Sequence, residues 1–242
     1  MRRLTVIKSE NRQKLNERKK ILRRKILSDA ADWLPANVVF DEGLFFELNE
    51  QNLRRWENEF AEQLNNYLRP LTEAHWKLCE ERGWKMQNIS ARFILLHTLA
   101  HLFINRLTFE CGYSSASLRE RLYVSNKPDA PMAGVLIYTA DGDSDGTLGG
   151  LVRMGQPGKL ESVLFNALDH ARWCSSDPVC REMGKHGQGP DSCNLAACHS
   201  CALIPETSCE LFNRFLDRQV LVNSLERTFL QGYFDFRQNF YS

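Results

Sequence analysis

No apolar run in the 242 residues approaches the roughly 18–20 that a membrane-crossing helix needs. The start, Met1-Arg2-Arg3-Leu4, also lacks the apolar stretch of a secretory signal. A cytoplasmic location without a membrane partner is therefore expected, and disulfides are uncommon there. Net charge is nearly absent too, at +1, so total charge selects no class of partner. The chain has no internal repeat and no long low-complexity linker. No Lys-Ser/Thr pair follows the glycine-rich Gly146-Thr147-Leu148-Gly149-Gly150, so there is no P-loop and no recognisable ATPase machinery.

What is present is an ordinary globular composition, 43% hydrophobic and 25% charged, long enough for one large domain or two small ones. The charge is unevenly spread. Residues 1–25 hold eleven Lys or Arg against Glu10 and Glu17, a net of +9, which leaves about −8 for the rest. A basic arm of this kind, with Arg18, Lys19, Lys20, Arg23, Arg24 and Lys25 at its centre, could lie along a phosphate backbone or simply be a solvated helix face.

Periodicity predicts a helix over 10–32, ended by Trp33-Leu34-Pro35, then two short strands, Val38–Phe40 and Leu44–Leu48, around a turn. Helices follow at about 50–69 and 71–82, broken at Pro70. The strongest helix is 89–109, whose wide apolar face (Phe93, Leu96, Leu99, Ala100, Phe103, Ile104, Leu107) implies burial. A helix capped by Ser114 or Ser115 is expected through Tyr123, a buried strand at Val135–Thr139, and further helices at about 160–173 and 210–225. The expected fold is helix-rich α+β: a helical core, a small β-sheet and a cysteine-coordinated zinc knuckle near the C-terminus. A division into 1–85 and 86–242 is expected, and the aromatic tail (Phe229, Tyr233, Phe234, Phe236, Phe240) should pack into a core or against a partner.

Eight cysteines in a chain not expected to form disulfides want another explanation, and six fall between 174 and 209. The densest piece is Cys193-x4-Cys198-x2-Cys201-x7-Cys209. A C-x2-C pair turns two thiolates around a tight knuckle onto one ion, and Cys193 and Cys209 flank it closely enough to complete a tetrahedron. Thiolates are soft ligands, which favours zinc over magnesium or calcium. Four sulfurs leave no open coordination position, so the site should hold structure together rather than hydrolyse anything. Free or redox-active thiols are the alternative. Cys174 and Cys180 could join a second ion with His170 or His186, stand in for Cys193 or Cys209, or be buried thiols; Cys79 and Cys111 read as half-buried cysteines.

His97 and His101 share one side of the 89–109 helix at i, i+4 spacing. Thr98 stands where an H-E-x-x-H metalloprotease carries its general base, so hydrogen-bonded polar residues on a buried face are the plainer reading. Asp141-Gly142-Asp143-Ser144-Asp145-Gly146 copies the opening of an EF-hand loop, but its twelfth position is Val152 rather than Glu. A hydrogen-bonded turn is favoured. A metal-dependent nuclease or other hydrolase using Asp141, Asp143 and Asp145 with His97 and His101 is the alternative function.

Five pieces together resemble a known family: Leu95–His101, Tyr113–Arg121, Gly134–Tyr138, Gly146–Leu151 and the cysteine run from Cys193 to Cys209. They resemble the zinc-binding domain found with MrfA-type helicases and, within that family, the C-terminal part of the DrmB proteins of DISARM anti-phage systems. The resemblance implies one zinc on Cys193, Cys198, Cys201 and Cys209. It also implies a role beside a superfamily 2 helicase that acts on DNA and is supplied by another chain. The expected function is that of a non-enzymatic zinc-binding accessory protein in anti-phage defence, with DNA as a further partner. DrmB proteins are much longer, so this sequence is expected to be the C-terminal piece of such a protein or a short relative. No catalytic residue is assigned.

Overall fold

The computed structural model describes residues 2–4, 38–40, 42–139, 149–184, 186–223 and 230–238. The expected helix at 10–32, with Arg18, Lys19, Lys20, Arg23, Arg24 and Lys25, lies outside them, as do Asp141, Asp143 and Asp145. The chain divides into two compact units, Met1–Asp41 and Glu42–Ser242. In the first, β1 (Arg2–Leu4) pairs antiparallel with β2 (Val38–Phe40). The second holds all the remaining elements.

Its sheet has the order β3-β5-β4, all antiparallel, built from β3 (Gly43–Glu47), β4 (Leu118–Ser125) and β5 (Met132–Thr139). Val38–Phe40 and β3 therefore find separate partners instead of forming a hairpin with each other. β5 is buried from Ala133 to Thr139, as its continuous apolar run requires of a central strand.

Two helices follow β3: α1 (Glu50–Glu59), capped by the Asn49 side chain, and α2 (Ala61–Arg82). The break falls at Phe60, and Pro70 sits inside a continuous α2. The proline forfeits one backbone hydrogen bond, but the stripe Leu64, Leu68, Leu71 and Leu78 is buried on either side of it and holds the helix together. α3 (Ala91–Cys111) is the axis of the unit. Ser90 caps its first turn, Gly112 ends it at φ 73°, and thirteen of its residues are buried, which a helix achieves only when covered nearly all round. Arg92, 1% exposed, fastens α3 to α1 through both carboxylates of Glu50 and Glu57 and to β4 through the Ser125 carbonyl at 2.8 Å.

Two expected helices are absent. Residues 118–125 form β4, where Leu118 and Glu120 face the core in the alternation of a strand paired along its whole length with β5. Pairing to a sheet that needs an edge overrides the local helical reading. Residues 210–225 form no α-helix among the described positions, only a 3-10 turn at Arg218–Val220. Their backbone bonds go sideways instead: Phe215 N to Cys193 O at 2.8 Å, Leu195 N to Leu216 O at 3.0 Å, Arg218 N to Ala196 O at 3.2 Å. Phe212, Asn213 and Phe215 carry positive φ, which a helix cannot contain. Short helices complete the unit: α4 (Gly150–Met154), α5 (Lys159–Arg172), α6 (Val179–Gly184) and α7 (Tyr233–Gln238). α5 packs on α3 and delivers the chain to Cys174.

Candidate metal centre

Four sulfurs converge beyond the end of α5, and they are Cys174, Cys180, Cys198 and Cys201, all within 4.8 Å of one another. The sulfurs of Cys174 and Cys198 are 3.5 Å apart, Cys198 and Cys201 3.7 Å, Cys180 and Cys201 3.9 Å. In a tetrahedron with sulfur about 2.3 Å from its centre, neighbouring sulfurs stand about 3.8 Å apart. These three edges match those of a zinc tetrahedron, and the remaining three are no longer than 4.8 Å.

Its electrostatics point the same way. Hydrogen bonding from Cys201 lowers the Cys180 thiol to about 6, and the same contact together with burial holds Cys201 far above its ordinary range. Burial raises Cys174 as well. Left to itself the cluster favours a thiolate on Cys180, while Cys174 and Cys201 ionise only against a cation.

Local structure explains how the sulfurs meet. Cys198 to Cys201 is a tight knuckle in which the amides of Cys201, Ala202 and Leu203 all bond the Cys198 carbonyl, at 3.0–3.2 Å. Cys174 and Cys180 flank a turn organised by Asp177, whose Oδ2 accepts the Cys174 amide at 3.0 Å. Arg218, 0% exposed, grips both oxygens of Asp177 at 2.5 and 2.6 Å and donates to the Ala171 carbonyl at 2.9 Å. Gln188 ties the two halves, donating to the Cys180 carbonyl at 2.6 Å and the Leu195 carbonyl at 2.5 Å. Such a shell around the ligands is what fixes their geometry.

The structure brings together only two of the four cysteines expected from spacing and from the family resemblance. Cys198 and Cys201 are in the cluster; Cys193 and Cys209 are not. Cys193 is fully buried in the apolar core, its thiol donating to the Asp191 carbonyl at 3.4 Å, and burial pushes it up to about 11. Cys209 sits instead with His97 and His101. The sequence holds a signal for this grouping: Cys174-x5-Cys180 and Cys198-x2-Cys201 are two couples separated by seventeen residues, close to the pair-spacer-pair layout of zinc sites although the first couple is wider than a C-x2-C knuckle. His170 and His186 join neither group of metal-ligating side chains found among the described residues.

The histidines occupy the core. His97 and His101 project from α3 toward Glu120 of β4 and Cys209, and all four side chains are buried. His97 Nε2 lies 3.0 Å from Glu120 Oε1 and 3.2 Å from Cys209 Sγ. Burial opposes a charge on His97, yet the Glu120 carboxylate outweighs it and carries the imidazole up to about 10. Burial would raise the Cys209 thiol, and the two imidazoles bring it down to about 7. Glu120 lies in the Tyr113–Arg121 stretch that carries the family resemblance, but nothing local in the sequence sets it beside the two histidines.

Comparison with known proteins agrees with this geometry. Residues 99–202 match the family model of the MrfA Zn-binding domain, a span that contains all four clustered sulfurs and neither His97 nor Cys209. The chain is also similar to the DISARM protein DrmB of Bacillus paralicheniformis (strain ATCC 9945a / NCIMB 11709 / CD-2), with 38% identity over 214 residues. That similarity takes in 88% of this chain and 36% of the relative, so the chain spans about a third of the relative's length. The domain match and the sulfur tetrahedron together make zinc the metal of this chain.

Proposed function

We propose that this chain is a non-enzymatic, zinc-stabilised accessory module of a DNA helicase or translocase that serves bacterial anti-phage defence. The observation that carries the reading is the closed tetrahedron of Cys174, Cys180, Cys198 and Cys201 inside the segment matching the MrfA Zn-binding domain. Four protein ligands leave no position for water or substrate, so the ion stabilises the fold and performs no chemistry. The name DISARM protein DrmB belongs to the relative, and its similarity over most of this chain supports a defence role here. ATP hydrolysis then comes from a superfamily 2 helicase supplied by another chain. The basic arm around Arg18–Lys25 is the segment proposed to touch DNA, and its contacts would be strongly salt-dependent.

The competing nuclease reading needs His97 and His101 to meet a phosphodiester. Both imidazoles are fully buried and turned toward Glu120 and Cys209, which favours the accessory reading. The test is to purify the chain alone and with a superfamily 2 helicase from the same source. The chain alone should leave plasmid DNA intact in magnesium or manganese; with the helicase it should co-elute and raise the DNA-stimulated ATPase rate. Magnesium-dependent cleavage abolished by Asp143→Ala, or no effect on the helicase at micromolar concentration, would defeat the proposal.

A further inference from the structure

We propose that His97, His101, Glu120 and Cys209 hold a second zinc ion, in a closed site separate from the four-cysteine centre. Their ligand atoms lie within 4.8 Å of one another, and none of the four is a ligand of the first cluster. For zinc with two nitrogens, one oxygen and one sulfur, tetrahedral edges run about 3.3–3.6 Å. Here His97 Nε2 stands 3.0 Å from the Glu120 oxygen and 3.2 Å from the Cys209 sulfur, and His101 Nε2 stands 3.6 Å from the same Glu120 oxygen. A shift of a few tenths of an ångström would admit the ion.

Hydrogen bonding alone leaves this cluster unsatisfied. His101 Nε2 and Glu120 Oε2 are buried and have no hydrogen-bond partner, in the middle of the core. Buried polar atoms are rarely left so, because each costs the free energy of its lost water. His101 Nδ1 is 2.9 Å from the Ala202 carbonyl. A carbonyl can only accept, so Nδ1 carries a hydrogen and, in the neutral ring, Nε2 presents a lone pair to Glu120 and Cys209. That outer hydrogen bond is the arrangement by which proteins orient a metal-binding histidine. Cys209 Sγ accepts the amides of Leu211 at 3.3 Å and Asn213 at 3.2 Å, bonds that stabilise a thiolate. The Glu210 amide, at 3.2 Å, fixes Glu120 Oε1.

The donor set chooses the metal. A thiolate with two imidazoles suits zinc, whereas magnesium and calcium demand oxygens. Bound there, the ion would pin α3 to β4 and to the loop at 209, adding to the hydrogen bonds that already join β4 to that loop through Glu210. The i, i+4 histidine spacing supplies two ligands from one helix face.

The experiment is elemental analysis of the wild-type chain purified without added metal, with zinc K-edge absorption on the same sample. The expected result is two zinc ions per chain, and an averaged shell of five sulfurs to three nitrogen or oxygen donors with imidazole scattering. One zinc per chain in an all-sulfur shell overturns the proposal and leaves the four-cysteine centre standing. One zinc in a mixed shell keeps this site and strikes out the other. Glu120→Gln and Cys209→Ser should each lower the content from two to one while keeping the all-sulfur signal; retention of both ions refutes the assignment. The wild-type spectrum stands even if a variant fails to fold.

Discussion

His101 donates from Nδ1 to the carbonyl oxygen of Ala202, 2.9 Å away, and Ala202 is the residue that follows Cys201. The cysteine knuckle is thereby moored to the central helix and is no independent finger. Its own backbone bonds are few and local, converging on the Cys198 carbonyl. Stripping the four-cysteine zinc should therefore release the segment from Cys174 to Leu203, while α3, with thirteen buried residues, keeps its amides closed. Hydrogen exchange before and after chelation reads this directly. Equal loss of protection in α3 and in the knuckle would show that the two unfold as one.

The ligand set makes a sharper prediction. Cys174→Ser or Cys180→Ser should remove the four-cysteine zinc as completely as Cys201→Ser, and Cys193→Ser should leave it bound. Ligand loss in a site coupled to folding costs several kcal/mol, which for a chain of this size lowers Tm by about 10 °C or more. Zinc content and thermal melting on the four variants decide it. Loss of that zinc in Cys193→Ser, with retention in Cys174→Ser, would restore the set expected from sequence spacing.

How much of this was legible in the sequence follows from the range of each interaction. The buried helix around Leu96 to Leu107, the strand at Val135–Thr139 and the knuckle at Cys198-x2-Cys201 are local patterns, and each is where its periodicity or spacing puts it. What escaped depends on contacts distant in sequence. β4 is a strand because β5 lies beside it, and the chain near Phe215 is extended because Cys193 and Leu195 take its hydrogen bonds. Zinc was legible from cysteine count and family likeness together. The gathering of Cys174 and Cys180 at the knuckle was not, because α5 carries Cys174 back to it from far along the chain.

Arg218 tests the support around that centre. It is fully buried and paired with Asp177, the same carboxylate that accepts the Cys174 amide. Arg218→Met should leave the Asp177 carboxylate with only the Cys174 amide and Arg181, 3.9 Å away, and cost up to about 3 kcal/mol. Loss of that outer support should also weaken zinc binding by about 10–100-fold. Competition with a chromogenic chelator measures the second effect separately from unfolding by urea. Unchanged zinc affinity in a destabilised variant would confine Arg218 to packing.

Asp217 gives the chain a pH dependence of known sign. It is fully buried; Oδ1 accepts the amides of Ala196 at 3.1 Å and Gln219 at 3.2 Å, and Oδ2 has no hydrogen-bond partner. Burial raises the carboxyl to about 6, against the pull of those amides, the Tyr67 hydroxyl and the Arg218 charge. The folded protein therefore holds a proton that the unfolded chain has already released. Stability falls as pH rises from the ordinary carboxylate range to about 6, and the cost is complete above that. Asp217→Asn keeps an oxygen for the two amides, removes the charge, and places an amide beside the Tyr67 hydroxyl. It should stabilise the chain by on the order of 2 kcal/mol at about pH 8, with the gain shrinking toward about pH 5. Urea midpoints of the two proteins at both pH values, zinc held in excess, provide the comparison. A gain that does not change with pH would mean that the Asp217 charge is not what folding opposes.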